Sequence, residues 1–362
     1  MKKKGGKKLI SMLSITAIVA ASVVGLVACS GKGVSQDEYN QLKADYEALA
    51  KKVEAAGSLK QFEPGNGEKP LKFAMVTICT SVQFWVPVAQ GMKDAAAMLG
   101  IEAVHMGPPG PDIPAVTDVM ETLLAEGIDG VSLFVAVPGS CDVIIQKYID
   151  KGIPILIQNT GDEAAEQYGL AYVGQNNYDA GLIWGRKILE LLGSNPSGKR
   201  VCFLTETPGQ TSLEDRMNAG KTILEPAGVI VDIVDTTTDR GVAYGAVESY
   251  YAANPDVAAF CSVDTTGSPV AATFIEKEGL IGKVFSAGFD LVPEVVEGMQ
   301  KGSMAFTIDQ HPYAAGFLSM MQLYLWKTLG IKPSWIDTGG HVVSAEDIEM
   351  YNLDELVNKG YR

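Results

Sequence analysis

The chain has 362 residues, 47% of them hydrophobic, and a formal net charge of −14. That length is more than one hydrophobic core fills and suits two lobes. The acidic balance argues against a nucleic-acid partner, because phosphate binding needs clustered Lys and Arg. It argues equally against adhesion to anionic lipid by charge.

The N-terminus opens with Lys2, Lys3, Lys4, Lys7 and Lys8. An apolar run over residues 9–28 follows, broken only by Ser, Thr and Gly, and then Leu26-Val-Ala-Cys29-Ser-Gly31. The order of charge, apolar run and small residues is that of an export signal, and the segment resembles the lipobox of bacterial lipoproteins. The resemblance implies a signal peptide over residues 1–28, lipidation of Cys29 and cleavage before it. The rest of the chain is then extracytoplasmic and held at the cell membrane by its lipid. The alternative is an uncleaved span, since the run is long enough to cross a bilayer. Cleavage removes five Lys and no acid, which takes the charge from −14 to −19.

Residues 29–70 read as the lipidated cysteine, a helical spacer and a linker. Tyr39, Leu42, Tyr46, Leu49 and Val53 recur at spacings of three and four within residues 34–58. That is an a/d seam about two heptads long, either a self-associating helix or a solvated stalk. Glu63-Pro-Gly-Asn-Gly-Glu-Lys-Pro70 is rich in turn formers.

From residue 71 strand and helix patterns alternate. β-rich runs fall at residues 71–78, 101–105, 130–135 and 155–157, with helical patterns at 84–99, 115–126 and 142–151. Gly100, Gly127 and Gly152 stand where helices close with a left-handed residue, and each is followed by an isoleucine and then the next strand run. This is βαβ grammar and predicts a parallel sheet. The pattern restarts with strands at 201–204, 229–234, 258–263 and 284–287, and helices at 212–225, 242–253, 269–278 and 292–301. A helix over 177–192 joins the halves. Another over 313–329 precedes a tail containing Trp335–Asp337 and Gly340–Val343.

Several segments, in order, carry a resemblance to a known family. They are Phe73-Ala-Met-Val-Thr with Phe84-Trp85, Gly152-Ile-Pro-Ile-Leu-Ile-Gln-Asn159, and Val173-Gly-Gln-Asn-Asn-Tyr-Asp-Ala-Gly181. Asn254-Pro-Asp-Val-Ala-Ala-Phe260, Val263-Asp264, Gly288-Phe-Asp290 and Thr307-Ile-Asp-Gln-His-Pro312 follow. Together they resemble the type I periplasmic binding proteins, in the ribose- and galactose-binding branch. The resemblance implies an α/β fold of two doubly wound parallel-sheet lobes joined by three crossover strands, near Gln175, Asp309 and Thr338. Lobe one is then residues 71–175 and 310–338, and lobe two residues 176–309 and 339–362. It further implies a sugar-like ligand, an ABC permease as membrane partner, and no cofactor.

Ligands of open parallel sheets sit outside the carboxyl ends of the strands, and two facing lobes would point those ends into one cleft. Phe84, Trp85, Gln158, Asn159, Asp264, Asp290 and Gln310 fall there and match ligand-binding positions of the family. The chemistry suits a polyol: carboxylates and amides meet hydroxyls, and aromatic faces cover C–H groups. Each has a second reading. Phe84 and Trp85 would otherwise pack the first helix, and Asp264 and Asp290 would otherwise cap the helices that follow them. The chain departs from ribose-type proteins, which carry Asp-Arg where this chain has Gln158-Asn159. They also carry a ligand-binding Arg in the segment matched by residues 211–220, where Arg216 stands at a shifted spacing.

His105, His311 and His341 are widely separated, and neither GxSxG nor HExxH occurs, so no catalytic constellation emerges. Residues 77–83, after the first strand, contain no glycine and make no phosphate loop. Cys79, Cys141, Cys202 and Cys261 show no zinc spacing. Buried thiols are the plain reading, with a Cys79–Cys141 disulfide left open. A sensory protein handing a sugar, nucleoside or autoinducer signal to a receptor kinase is the rival function, since both use closure of the same lobes.

Overall fold

The computed structural model describes residues 69–362. The leader, Cys29 and the heptads of residues 34–58 lie outside them. In chain order come β1 (Lys72–Val76), α1 (Trp85–Leu99), β2 (Glu102–Met106), α2 (Ile113–Glu126), β3 (Gly130–Leu133), α3 (Asp142–Asp150), β4 (Ile155–Gln158), α4 (Asp162–Tyr168) and β5 (Tyr172–Gly174). Next are α5 (Asn177–Leu192), β6 (Arg200–Thr205), α6 (Thr211–Leu224), β7 (Ile230–Asp235), α7 (Arg240–Ala253), β8 (Val257–Ser262), α8 (Gly267–Lys277), β9 (Phe285–Phe289), α9 (Pro293–Lys301) and β10 (Phe306–Asp309). The chain ends with α10 (Pro312–Leu329), β11 (Ile336–Asp337), β12 (His341–Val343), α11 (Ala345–Tyr351) and α12 (Leu353–Asn358).

The strands form two six-stranded sheets, ordered β11-β5-β4-β3-β1-β2 and β12-β10-β9-β8-β6-β7. Every pairing is parallel except β10 with β12. Phe73, Ala74, Met75 and Val76 in β1 are all fully buried, with no alternation. Helices therefore cover both faces of the sheet, as parallel sheets require. The outer strands β2 and β7 keep partly exposed positions.

Helix ends follow local chemistry. Asp112 caps α2 by accepting from the N–H of Ala115 at 3.0 Å, which starts the helix two residues before the expected 115. Gly100 and Gly127 end α1 and α2 in left-handed conformation. Gly152 is also left-handed, but stands one residue past Lys151, the C-cap that follows the last residue of α3, Asp150. The helices α4, α11 and α12 were not foreseen from the sequence.

The chain changes sheet three times. After β5 it enters α5, whose Ala180 and Trp184 lie in the core of the second lobe. After β10 it enters α10, whose Ala315, Met320 and Leu323 lie in the core of the first. It passes last from β11 to β12. The crossings are tied together: Gln175 Nε2 donates to Gly339 O at 2.8 Å, and Thr338 N to Gly174 O at 2.9 Å.

Two close helix approaches depend on glycine. A Cβ on Gly316 of α10 would run into the Val88 carbonyl of α1, so these helices meet backbone to backbone. A Cβ on Gly181 of α5 would fall 2.6 Å from Arg216 O on α6, and that approach places the Arg216 side chain. All four cysteines among the described residues are free and buried, including Cys79 and Cys141. Burial pushes their thiols up.

Candidate functional site

The carboxyl ends of the two sheets enclose a cleft of about 470 Å³, part of it open to solvent. Loops after β1, β3 and β4 supply one wall, with the start of α1. Loops after β6, β8, β9 and β10 supply the other, with α6. The lobes touch beside it. Thr160 Oγ1 donates to Ser212 Oγ at 2.9 Å, Thr211 N to Ala136 O at 3.0 Å, and Arg240 Nη2 to Gln83 Oε1 at 2.5 Å.

The first wall is aromatic. Phe84 and Trp85 pack edge to face with centroids 4.9 Å apart, and Trp85 meets Phe134 in the same way at 5.6 Å. All three are buried and all three line the cleft. The packing and cleft readings of Phe84 and Trp85 therefore hold together, and Phe134 extends the wall beyond what the sequence singled out.

The facing wall is polar. Asp290 is 4% exposed and has φ 71, a left-handed backbone that Asp tolerates better than most residues. Its Oδ1 accepts from Gln310 Nε2 at 2.5 Å and its Oδ2 from Thr265 Oγ1. Burial raises the Asp290 pKa against the pull of Arg216. Asp290 does not cap α9: the N-cap there is Val292, with no side-chain cap bond.

Asp264 lines the cleft and also binds N–H groups at the start of α8, although the N-cap residue is Thr266, with no side-chain cap bond. Helix α8 begins at Gly267, two residues before the expected 269, and Asp264 Oδ1 accepts from Thr266 N at 3.0 Å and Gly267 N at 2.6 Å. Its Oδ2 accepts from Glu206 N at 2.7 Å. The carboxyl thus holds two loops in register while it lines the cleft. Burial pushes its pKa up to about 6, opposed by these N–H groups.

Gln310 is the junction of the site. Its Oε1 accepts from Arg216 Nη2 at 2.8 Å and from Asn159 Nδ2 at 3.2 Å, and its Nε2 serves Asp290. Arg216, 3% exposed, is engaged on nearly every side. Nε and Nη2 donate to Asn177 Oδ1 at 3.0 and 2.8 Å, and Nη1 donates to Val263 O at 2.8 Å. Its guanidinium carbon lies 4.2 Å from the Phe289 ring centroid. Arg216 also reaches the cleft, so the cation that the shifted spacing left in doubt stands at the centre of the polar wall.

The pair at the end of β4 divides. Asn159 has φ 62 and lines the cleft. Gln158 does not: it is fully buried, and neither its Nε2 nor its Oε1 has a hydrogen-bond partner. Gln158, expected at the ligand, lies outside the cleft lining. Gln158 is the last residue of β4 and is packed within the sheet, whereas Asn159 stands beyond the strand in a left-handed turn at the cleft.

Glu206 is a cleft residue that the sequence reading missed. It follows β6 as Asp264 follows β8 and Asp290 follows β9, so the strand-end rule applied to every strand would have found it. Its Oε2 is buried without a partner. Burial and then the Asp264 carboxyl hold its pKa well above the usual range.

None of the three histidines lines the cleft. His105 lies outside the cleft lining, 2.7 Å from Thr77 Oγ1, and burial pulls its pKa down to about 4. His311 and His341 meet edge to face at the crossings, with centroids 4.8 Å apart. Among the described residues no group of three or more His, Cys, Asp or Glu is placed to hold a metal ion, and no helix is long and apolar enough to cross a membrane.

Comparison with known proteins gives the same architecture. Against the xylose/arabinose-binding protein XylF of Sulfolobus acidocaldarius the chain is 30% identical over 298 residues, which cover 78% of this chain and 73% of that one. Against the D-allose-binding periplasmic protein of Escherichia coli it is 24% identical over 257 residues, covering 68% and 81%. The solved structure of an ABC-transporter solute-binding protein from Burkholderia graminis, in complex with D-arabinose, superposes with a TM-score of 0.73. It is 24% identical and covers 79% of this chain and 99% of that one, a likeness of fold. The family model described as "Periplasmic binding protein domain" matches residues 73–327, and with two parallel-sheet lobes closing on one cleft, this chain belongs to that family.

Proposed function

We propose that the chain is the extracytoplasmic substrate-binding component of an ABC importer, and that it captures a small neutral sugar between its lobes and releases it unchanged. One observation carries this reading. A wall of Phe84, Trp85 and Phe134 faces a wall of Asn159, Asp264, Asp290 and Gln310 across one cleft. Aromatic faces suit the C–H side of a sugar ring, and carboxylates and amides suit its hydroxyls. Three carboxyls with a single engaged Arg disfavour a phosphorylated ligand, because like charges repel strongly where water is excluded. The relatives named for xylose, arabinose and allose support the same ligand class.

A thermal-shift series with D-xylose, L-arabinose, D-allose and D-galactose tests the reading. A ligand that binds only the folded state at a hundred times its Kd adds about 2.7 kcal/mol of stability. At least one of these sugars raises the melting temperature, and no shift with any of them overturns the proposal. Anchoring at Cys29 is part of the same proposal: Cys29→Ala releases the protein from membranes, and unchanged retention refutes the anchor.

A further inference from the structure

We propose that Glu206 stands in the cleft as a neutral carboxylic acid and donates its O–H to an oxygen of the bound sugar. The inference rests on the cleft being a sugar site, as above, and adds a donor to a wall otherwise dominated by acceptors.

The geometry leaves Glu206 little choice. Its backbone N–H is bound to the Asp264 carboxylate at 2.7 Å, which draws the two acids together at the ends of neighbouring strands. Its Oε2 is buried without a hydrogen-bond partner. A buried carboxylate oxygen without a donor is costly, whereas a protonated one carries its own hydrogen to offer. The titratable and charged groups around it are Asp264 after β8, Asp290 after β9, Cys79 after β1 and Arg216 on α6.

Two of these neighbours are carboxyls, and ionising Glu206 would set a third negative charge beside them. The one cation, Arg216, already binds Asn177, Gln310, Gln175 and the Val263 carbonyl. Thr266 hydrogen-bonds to Glu206 and opposes the upward shift, but burial and the two Asp charges outweigh it. An empty cleft holding a neutral Glu206 therefore presents two kinds of group. Asp290 and Asp264 accept from sugar hydroxyls, and Glu206 donates to a hydroxyl or ring oxygen.

The test begins on the ligand-free protein. Infrared difference spectra of wild type minus Glu206→Gln at neutral pH show a carboxylic-acid C=O stretch, and carboxylate bands alone overturn the proposal. Calorimetry follows with D-xylose, L-arabinose, D-allose and D-galactose. For the tightest binder among them, wild-type affinity falls as pH is raised to where the acid band is lost. Glu206→Gln keeps a donor on the same stem, so it weakens binding by no more than about threefold and flattens the pH profile, while Glu206→Ala weakens it about tenfold or more. Affinity that stays constant after the acid band is lost, or a Gln variant as weak as the Ala variant, overturns the donor role. If wild type binds none of the four sugars, the sugar reading itself falls and the donor role falls with it. That failure appears before any variant is measured.

Discussion

Replacing Asp290 with Asn removes the charge and keeps the shape. The backbone there has φ 71, a region that costs most L-residues roughly 1–2 kcal/mol but that Asn and Asp visit readily. Asn is therefore a cleaner probe than Ala. Within the protein, Asp290 Oδ1 accepts from Gln310 and Oδ2 from Thr265. Each carboxylate oxygen has two acceptor directions, so one on each oxygen is left for a sugar hydroxyl. A hydrogen bond to a charged group contributes about 1.5–3 kcal/mol and a neutral one about 1 kcal/mol. In the Asn variant one hydroxyl keeps a neutral acceptor and the other meets an NH₂ group, a loss of roughly 2–5 kcal/mol. That corresponds to about thirtyfold to a few thousandfold in Kd. Asn still serves both internal partners, accepting from Gln310 and donating to Thr265 Oγ1, so ligand-free stability moves by less than about 1 kcal/mol. Titration calorimetry with the sugar giving the largest thermal shift, alongside urea denaturation, reads both quantities. A Kd within about threefold of wild type refutes the role given to Asp290. A stability loss that matches the affinity loss makes the residue structural.

Gly316→Ala drives a methyl into the Val88 carbonyl where α10 crosses α1, and urea denaturation shows a loss of about 3 kcal/mol or more; a shift below 1 kcal/mol contradicts the backbone contact. Arg216→Met strips the acceptors of Asn177, Gln175 and Gln310 of their buried donor and lowers folding stability by about 3–5 kcal/mol, with near-wild-type stability as the contrary result. The raised acids also set a pH dependence. The Asp264 pKa moves from 3.8 to about 6 on folding, and Glu206 and Asp290 shift the same way. The folded state therefore binds more protons than the unfolded chain, and their contribution to stability is present below pH 3.8 and lost as pH rises through 6 and beyond. Calorimetric melting of wild type against Asp264→Asn isolates this slope, and a wild type that gains stability relative to the variant across that window contradicts it.

The sequence made the architecture legible where the hydrophobic pattern was strong. The Gly–Ile punctuation at 100, 127 and 152 marked three successive strand starts, and the continuous apolar run of β1 announced a sheet covered on both faces. What escaped was short and weakly patterned. Helix α4 buries only Ala164 and Ala165, and α12 only Leu353 and Val357, too few to raise a helical period above the polar background. The cleft was legible to the extent that it is built from strand ends, which is why Phe84, Trp85, Asn159, Asp264, Asp290 and Gln310 come together. Gln158 was misplaced because the turn that admits only Asn159 depends on a left-handed φ that residue order does not reveal. The dual duty of Asp264 was hidden for a related reason. Its bonds to the Thr266 and Gly267 N–H groups depend on α8 starting at Gly267 rather than at Pro269, the more obvious helix-opening residue.

The central claim is that a cleft with three carboxyls and one engaged Arg holds an uncharged sugar. Titration calorimetry of the same protein with a free sugar and with its phosphate ester, at one pH and ionic strength, tests it most directly. The account predicts saturable heat with the free sugar and none with the ester. Tight binding of the ester with the free sugar ignored would contradict it.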